Sequence, residues 1–458
     1  MATSSFDLVV IGAGAAGGGA AHAASAKGVR VAQIERDKVG GTCLNYGCDP
    51  TKTLLHIAQV LYQAQHSAKY GLSIPRTSLD WRHVQDYVQG VIDMMRGGSL
   101  EEARAQLKEQ GIEFIHGEAS FVSPHEVAVN GRTLVAERII IASGSQALIP
   151  EIAGLQETGF VTNVGALAFP CLPARLAIIG GGAIGIEFAQ MFQRFGVAVT
   201  VIERSSLILD KEDRELADIL CDLLSQEGIQ FITSAEVQCV QRVAGGKKLT
   251  YTCGQNKQQE LVVDEILLAL GRRPTLEKLN LEKIGVKTTK KGLEVDACLR
   301  TSVPHIWAAG DVIGGYKFTH VANEQGKLAT RNAFAESPRP FDASVIPWVT
   351  FTDPPLAHVG PTEEELRQQK RTYRARSVPF KAIERALTLG TTEGVLKLLV
   401  DEQEHILGGH ILGPGADELI SLVTLTMHAG LSAATLASTI LPYPTLSQGV
   451  RWAASNAQ

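Results

Sequence analysis

One piece of chain grammar occurs twice in this sequence and limits the fold more than any other feature. Phe6-Asp-Leu-Val-Val-Ile-Gly12 reads as a buried strand, Ala15 to Lys27 as an Ala-rich helix and Val29 to Glu35 as a second strand. Far downstream, Arg175 to Gly180, Ile184 to Phe195 and Ala198 to Glu203 repeat the same order. A strand, a glycine turn, a helix and a strand form a βαβ unit, whose strands pair in parallel because the helix carries the chain back. Two Rossmann-like units in an α/β fold are therefore expected. The 458 residues leave room for a third domain at roughly 100 to 200 residues each. Between the two units lie helical segments from Lys52 to about Gln110 and a hairpin with its turn at Asn130-Gly131. Two short apolar strands that end at glycines, Asp264 to Gly271 and His305 to Gly310, are expected to return to the first domain. From about Pro340, Pro-punctuated strands give way to helices near Asp417 to His428 and Ser432 to Ser438, the pattern of a separate α+β domain.

In Gly12-Ala-Gly14-Ala-Ala-Gly17 the glycines permit a tight turn, close approach of a pyrophosphate and close packing of helix on strand. The helix N-terminus then faces the phosphates. Glu35 ends the next strand, where a carboxylate accepts hydrogen bonds from a ribose diol. Gly180-Gly-Gly182-Ala-Ile-Gly185 repeats the loop, with Glu203 at the same offset. Two such sites require two dinucleotides, and FAD with NAD(P)H is the pairing that suits a chain also carrying a thiol pair. Glu203 repels a 2′-phosphate and so favours NADH, whereas the adjacent Arg204 leaves NADPH open.

That thiol pair lies in Gly40-Gly-Thr-Cys43-Leu-Asn-Tyr-Gly-Cys48-Asp-Pro-Thr-Lys52. Residues five apart in a regular helix have Cα atoms roughly 8 to 9 Å apart, whereas a disulfide needs about 4.4 to 6.8 Å. A pairing of Cys43 with Cys48 thus requires distorted backbone, for which Gly47 supplies the freedom. Cys48 just precedes a helix N-terminus, with Lys52 four residues on, and both features favour a thiolate. No third Cys or His falls at metal-ligand spacing nearby, which disfavours a resident metal site. The remaining five cysteines, Cys171, Cys221, Cys239, Cys253 and Cys298, read as small buried hydrophobes.

A net charge of -5 gives no electrostatic reason to bind nucleic acid. No apolar run approaches about 18 to 20 residues, and no basic region precedes Phe6 to Ile11, so a cytoplasmic chain without a membrane segment is expected.

The first glycine loop and the segment GGTCLNYGCDPTK resemble those of the pyridine nucleotide-disulfide oxidoreductases, which include lipoamide dehydrogenase, glutathione reductase and mercuric reductase. IIIASGS at 139–145, GGGAIGIEFA at 180–189, LALGRRP at 268–274, WAAGDV at 307–312 and FTDPPLAHVG at 351–360 extend the resemblance over nearly the whole chain. It implies two dinucleotide-binding domains and a C-terminal α+β dimerisation domain. The expected bounds are 1–149 with 272–338 for FAD, 150–271 for NAD(P) and 339–458 for the interface domain. It further implies a homodimer in which each interface domain completes the partner's active site.

By the same resemblance Cys43 is the interchange thiol, exposed to substrate, and Cys48 the charge-transfer thiol against the flavin. Lys52 would pair with Glu187 near the flavin's reactive nitrogen, and Asp311 would hold the ribityl chain. The FAD residues would include Gly41, Thr42, Gly47, Lys52, Gly117, Ala119, Ala142, Ser143, Gly144 and Gly310 beside Gly12, Gly14, Gly17 and Glu35. The NAD(P) residues would be Gly180, Gly182, Ile184, Gly185, Glu187, Glu203, Arg204 and Gly271.

The chain also departs from the family. Thiol-disulfide members carry a His-x-His-Pro-Thr-x-x-Glu segment whose second His is the acid/base, whereas this chain has Leu441-Pro-Tyr443-Pro-Thr-Leu-Ser-Gln448. A phenol with a pKa of about 10 does not serve as that base at neutral pH without a large shift. Mercuric reductases also have a Tyr there, yet the C-terminal cysteine pair they use is absent from this sequence. Tyr443 therefore reads either as a member of the active site or as a packing residue. Asp49 replaces a usually apolar residue and reads as an N-cap before Pro50, as a charge that disfavours the Cys48 thiolate, or as both. Ala183 stands where several relatives have a Tyr that gates the nicotinamide pocket.

The first expectation is a mercuric reductase-like enzyme that reduces a soft metal ion or small oxidant at Cys43 and Cys48. A reductase of a low-molecular-weight disulfide is the second. A flavoprotein that binds dinucleotides as a sensor or scaffold without turnover is the third.

Overall fold

The computed structural model describes residues 3–254 and 257–455. The chain divides into two compact units, one of Met1–Thr53, Arg82–Leu148 and Gly271–Asp342, the other of Leu54–Trp81, Ile149–Leu270 and Ala343–Gln458.

In the first unit, β1 (Thr3–Ile11) pairs in parallel with β2 (Val31–Glu35), and β2 with β3 (Ile112–His116). A hairpin of β4 (Ser120–Ser123) and β5 (Glu126–Val129) leads into β6 (Arg132–Ile141), which lies parallel to β1 on its other side. The C-terminal half of β6 takes Ile306–Ala308 as a further parallel neighbour, so this strand returns to the first sheet as expected. Leu8, Val9 and Val10 are all fully buried, the mark of a parallel strand covered on both faces. One face packs Phe6, Val9 and Ile11 with Phe121 and Val127. The other packs Leu8 and Val10 with the alanines of α1 (Ala15–Ser25) and of the helix Thr319–Ala333. Small residues on both helices set that approach: a Cβ on Gly326 of the helix Thr319–Ala333 would lie 2.0 Å from the Ala16 carbonyl oxygen. Asn130 and Gly131, at φ 50° and 73°, make the β5–β6 turn the sequence predicts.

The second unit holds a parallel four-stranded sheet in the order Gln230–Ile232, Ala198–Ile202, Arg175–Ile179, Glu265–Leu268. The strand before Gly271 therefore closes the second sheet and does not return to the first, which corrects the sequence reading. Its register is pinned by Asp264, whose carboxylate accepts the Arg175 backbone N–H at 2.8 Å and the Arg175 guanidinium at 2.6 Å. A meander of Ala235–Val243, Gly246–Cys253 and Lys257–Val263 belongs to the same unit. So does an antiparallel five-stranded sheet, in the order Pro347–Thr350, Leu356–Val359, Ile406–Leu412, Val395–Val400, Arg374–Pro379. The helices Ala416–His428 and Ser447–Ser455 cover it and complete the α+β domain.

The five outlying cysteines are less buried than expected: Cys171 is exposed in a Pro-flanked loop, and the other four are half-buried. No helix among the described residues is long and apolar enough to cross a membrane.

Candidate active site

The cysteine pair sits at a break between two helices. α2 (Gly41–Tyr46) ends at Gly47, whose φ of −133° and ψ of −117° leave the helical region, and α3 (Cys48–Gln65) starts at the next residue. A Cβ on Gly47 would lie 3.0 Å from the Thr42 carbonyl oxygen and 3.3 Å from the Cys43 Cα, so a side chain here would push the two helices apart. Asn45 fastens α2: its Nδ2 donates to the Val39 and Gly41 carbonyls, and its Oδ1 accepts from Arg96 at 2.8 Å.

Cys43 and Cys48 are free thiols, joined by a hydrogen bond. The Cys48 thiol is lowered to about 6, chiefly because Cys43 donates to it. Burial and, to a lesser extent, the Asp49 carboxylate oppose that shift, while the Thr319 hydroxyl, 3.6 Å from its sulfur, and the Lys52 charge assist it. Cys43 is held far above the ordinary thiol value, by keeping its proton on the bond to Cys48 and by burial. Asp49 does not cap α3: the helix already runs from Cys48, so Asp49 lies within its first turn. Its carboxyl is raised by burial, and the Lys52 charge opposes this.

Around the first glycine loop the backbone forms a cradle. Gly12, at φ 114°, approaches the Ala142 carbonyl so closely that a Cβ would lie 2.2 Å from its oxygen, and a Cβ on Gly17 would lie 2.0 Å from the Gly12 oxygen. Gly41 brings the dithiol segment against Gly14, with a Cβ position 2.6 Å from the Gly14 Cα. Glu35 is held by two N–H donors, Ala13 at 2.7 Å and Asp37 at 2.9 Å. It lines a cleft with Gly12, Arg36, Gly117, Ala119 and Ser143. A dinucleotide with its phosphates at the loop and its ribose at Glu35 fits this cradle.

Asp311 accepts a hydrogen bond from Ser145 and lies 3.8 Å from Arg272, which in turn donates to Ser145 and, at 3.4 Å, to the Thr42 hydroxyl. Arg272 lies in a motif the sequence marks, but it was not among the expected site residues. Its guanidinium is lowered by burial, against the charges of Asp311 and Cys48. Gly310 abuts α1, its Cβ position 2.9 Å from that of Ala16, and its N–H donates to Gln325 at 2.9 Å.

The second loop repeats this geometry. Gly180, at φ 115°, meets the Ala269 carbonyl as Gly12 meets Ala142, and Gly185 meets Gly180 as Gly17 meets Gly12. Glu203 accepts from the N–H groups of Gly181 at 2.6 Å and Ser205 at 2.7 Å, matching Glu35. Gly182, Ala183 and Ile184 are exposed, so the mouth of the loop is open, and Arg204 is exposed beside it. Glu187 is buried in the helix Ala183–Arg194 and accepts the Phe351 N–H at 2.9 Å. Gly271 has a φ of 103°. A nicotinamide dinucleotide fits this loop as the first fits its own.

In the C-terminal segment Tyr443 is exposed. Gln448 is buried and its Nε2 donates to the carbonyls of Leu441 and Pro442. This side chain therefore shapes the turn that carries Tyr443. The sequence signals the loss of the His-Glu pair but not this use of Gln448.

Comparison with known proteins agrees with this geometry. The model of the family "Pyridine nucleotide-disulphide oxidoreductase" matches residues 6–326, and that of its dimerisation domain matches residues 346–454. A mercuric reductase from Staphylococcus aureus is 36% identical over 98% of this chain and 82% of that protein. A dihydrolipoyl dehydrogenase from Thermus scotoductus is 38% identical over 98% of this chain and 96% of its own. Among solved structures, the HOCl-induced flavoprotein disulfide reductase RclA from Escherichia coli superposes with a TM-score of 0.88 at 32% identity, covering 99% of this chain and 100% of that one. Its Cu(II) complex gives a TM-score of 0.89 at the same identity and coverage. The chain belongs to the pyridine nucleotide-disulphide oxidoreductase family, a family that uses FAD and NAD(P)H, and it carries that family's dimerisation domain.

Proposed function

We propose that this protein uses NAD(P)H, with NADH preferred, to keep Cys43 and Cys48 reduced and passes two electrons from the pair to a soft metal ion or small oxidant. The observation that carries the reading is the acidified Cys48 beside a Cys43 that retains its proton. When bound, FAD supplies the two-electron relay between nicotinamide and disulfide. Gly12, Gly14, Gly17, Glu35 and Asp311 would hold it, and Gly180, Gly182, Gly185 and Glu203 would hold the nicotinamide dinucleotide. The interface domain would complete the partner's site in a homodimer.

At neutral pH Cys48 is ionised and Cys43 is not. Oxidation of the pair therefore forms one Sγ–Sγ bond, releases two electrons to the oxidant and frees the single proton of Cys43. A metal ion needs no proton to accept those electrons, whereas expulsion of a thiolate from a disulfide is helped by a positioned acid. Tyr443 and Gln448 in place of a His and its orienting carboxylate thus favour the metal ion. The relatives named mercuric reductase and the Cu(II) complex of RclA support the same choice. The dihydrolipoyl dehydrogenase relative supports a second reading, reduction of a low-molecular-weight disulfide, with Tyr443 or water supplying the proton. Steady-state assays of the reconstituted enzyme with Hg(II), which takes both electrons, with Cu(II), two ions of which are reduced to Cu(I) per disulfide formed, and with a disulfide panel test the choice. Turnover with a metal ion, lost in Cys43→Ser, is expected. Turnover confined to disulfides would favour the second reading, and none with any oxidant would leave the non-catalytic one.

A further inference from the structure

We propose that Arg96 is a positioning residue for the dithiol: through Asn45 it holds α2 so that Cys43 stays within reach of Cys48. The inference rests on the reading of Cys43 and Cys48 as the substrate-reducing pair and adds a residue on which that pair depends.

α2 has six residues, with left-handed Gly40 before it, no side-chain cap at its start and Gly47 breaking it from α3. A helix this short does not persist on its own, because nucleation costs more than so few hydrogen bonds return. The Asn45 amide ties its end back to the Val39 and Gly41 carbonyls, at 3.0 and 2.8 Å, which brackets Cys43 between two fixed points. Asn45 is buried, and its Oδ1 is met by Arg96 Nη2 at 2.8 Å. The place of Cys43 therefore depends on a side chain from a distant helix.

Arg96 is the last residue of the helix Trp81–Arg96, whose buried face is Val84, Val88 and Ile92. The turn that follows sets its position: Gly97 and Gly98 have φ of 85° and 121°, and the Gly98 N–H donates to the Asp93 carbonyl at 2.8 Å. An arginine at a helix end, paired with an aspartate one turn back, ordinarily faces solvent. This side chain is instead only 4% exposed, spans Asn45 and the Asp93 carboxylate, the latter at 2.7 Å, and leaves its buried Nε–H without a partner among the described residues. Burying a guanidinium in that state costs more than an apolar side chain would, so packing alone does not explain it. What the arginine adds is a planar fork that fixes the Asn45 amide, a geometry a single ammonium does not reproduce.

Anaerobic stopped-flow reaction of the reduced, full-length, FAD-reconstituted protein with dithiobis(nitrobenzoate), in a Cys171→Ser background, separates position from reactivity. One thiol of the pair displaces a first thionitrobenzoate and forms a mixed disulfide; the other then displaces the second as the Sγ–Sγ bond closes. The second release, the phase absent in Cys48→Ser, is intramolecular and reads how well the two sulfurs are held together. Arg96→Met is expected to slow it about tenfold while the first release is no slower. Arg96→Lys keeps the charge but not the fork and is expected to slow the second release as well. An unchanged second release in Arg96→Met, or Arg96→Lys indistinguishable from wild type, would overturn the proposal. Equal acceleration of both releases, the mark of general loosening, would overturn it too. Should Arg96→Met lose its flavin, Arg96→Lys decides by the same comparison. If the wild type reduces no metal ion or disulfide, the reading of the pair as substrate-reducing fails, while the two release rates still decide the part played by Arg96.

Discussion

A sulfur whose pKa lies near 6 is mostly thiolate at neutral pH, and for Cys48 the largest contributor is the proton that Cys43 keeps. The thiolate should be fully present above about pH 7 and be lost as pH falls through about 6, which a pH titration of iodoacetamide reactivity at Cys48 would follow. Thr319→Val removes the hydroxyl 3.6 Å from that sulfur and should move the inflection to higher pH. An unmoved inflection would remove Thr319 from the account. Glu203 is the second residue with a sharp consequence. Its carboxylate, fixed by the N–H groups of Gly181 and Ser205, faces the position expected of a ribose diol. Glu203→Gln should lower kcat/KM for NADH by about tenfold and that for NADPH less, because a hydrogen bond to a charged group is worth about 1.5 to 3 kcal/mol. Steady-state kinetics with both cofactors would check it.

Among the elements, the break between α2 and α3 was legible because five residues of regular helix cannot bring two sulfurs together. The two glycine loops were legible because their spacing encodes close backbone approach, which recurs at Gly12 and Gly180. Of the two readings of Asp49, the N-cap fails because the helix start depends on the dihedrals of Gly47, which the residue types around it do not determine, whereas a charge that disfavours the Cys48 thiolate agrees with the direction of its effect on that thiol. Arg272 and Thr319 were missed because they lie far along the chain from the cysteines and reach them only through the fold. The strand Glu265–Leu268 was misassigned because an apolar run does not name the sheet that receives it; the Asp264–Arg175 pair does.

The C-terminal sheet holds an element the sequence did not announce. Lys397 is buried and contacts Asp213 at 2.8 Å, Glu215 at 2.6 Å and Glu363 at 2.8 Å. Removing one partner of a buried charge cluster leaves the others uncompensated, so Lys397→Met should destabilise the fold by about 3 to 5 kcal/mol, read from the denaturant midpoint. Burial pushes the Glu363 carboxyl up, but hydrogen bonds from Lys397 and Tyr373 and the Lys397 charge hold it below its ordinary 4.5. Its contribution is therefore present above about pH 4.5 and lost as pH falls through the lower folded-state value, an acid sensitivity that Lys397→Met should blunt.

At the scale of the whole molecule, the dimerisation domain exposes Leu425, Leu431 and Ile440. Leu425→Glu should yield more monomer by sedimentation and lower turnover while flavin content is retained. Unchanged assembly would place the interface elsewhere. Every functional assignment depends on coupling between the cysteine pair and bound flavin, and an anaerobic NADH titration of the reconstituted protein tests that coupling most directly. A long-wavelength thiolate–flavin band is expected on uptake of the first two electrons, absent in Cys48→Ser. Bleaching of the flavin without that band, or its persistence in Cys48→Ser, would contradict that coupling.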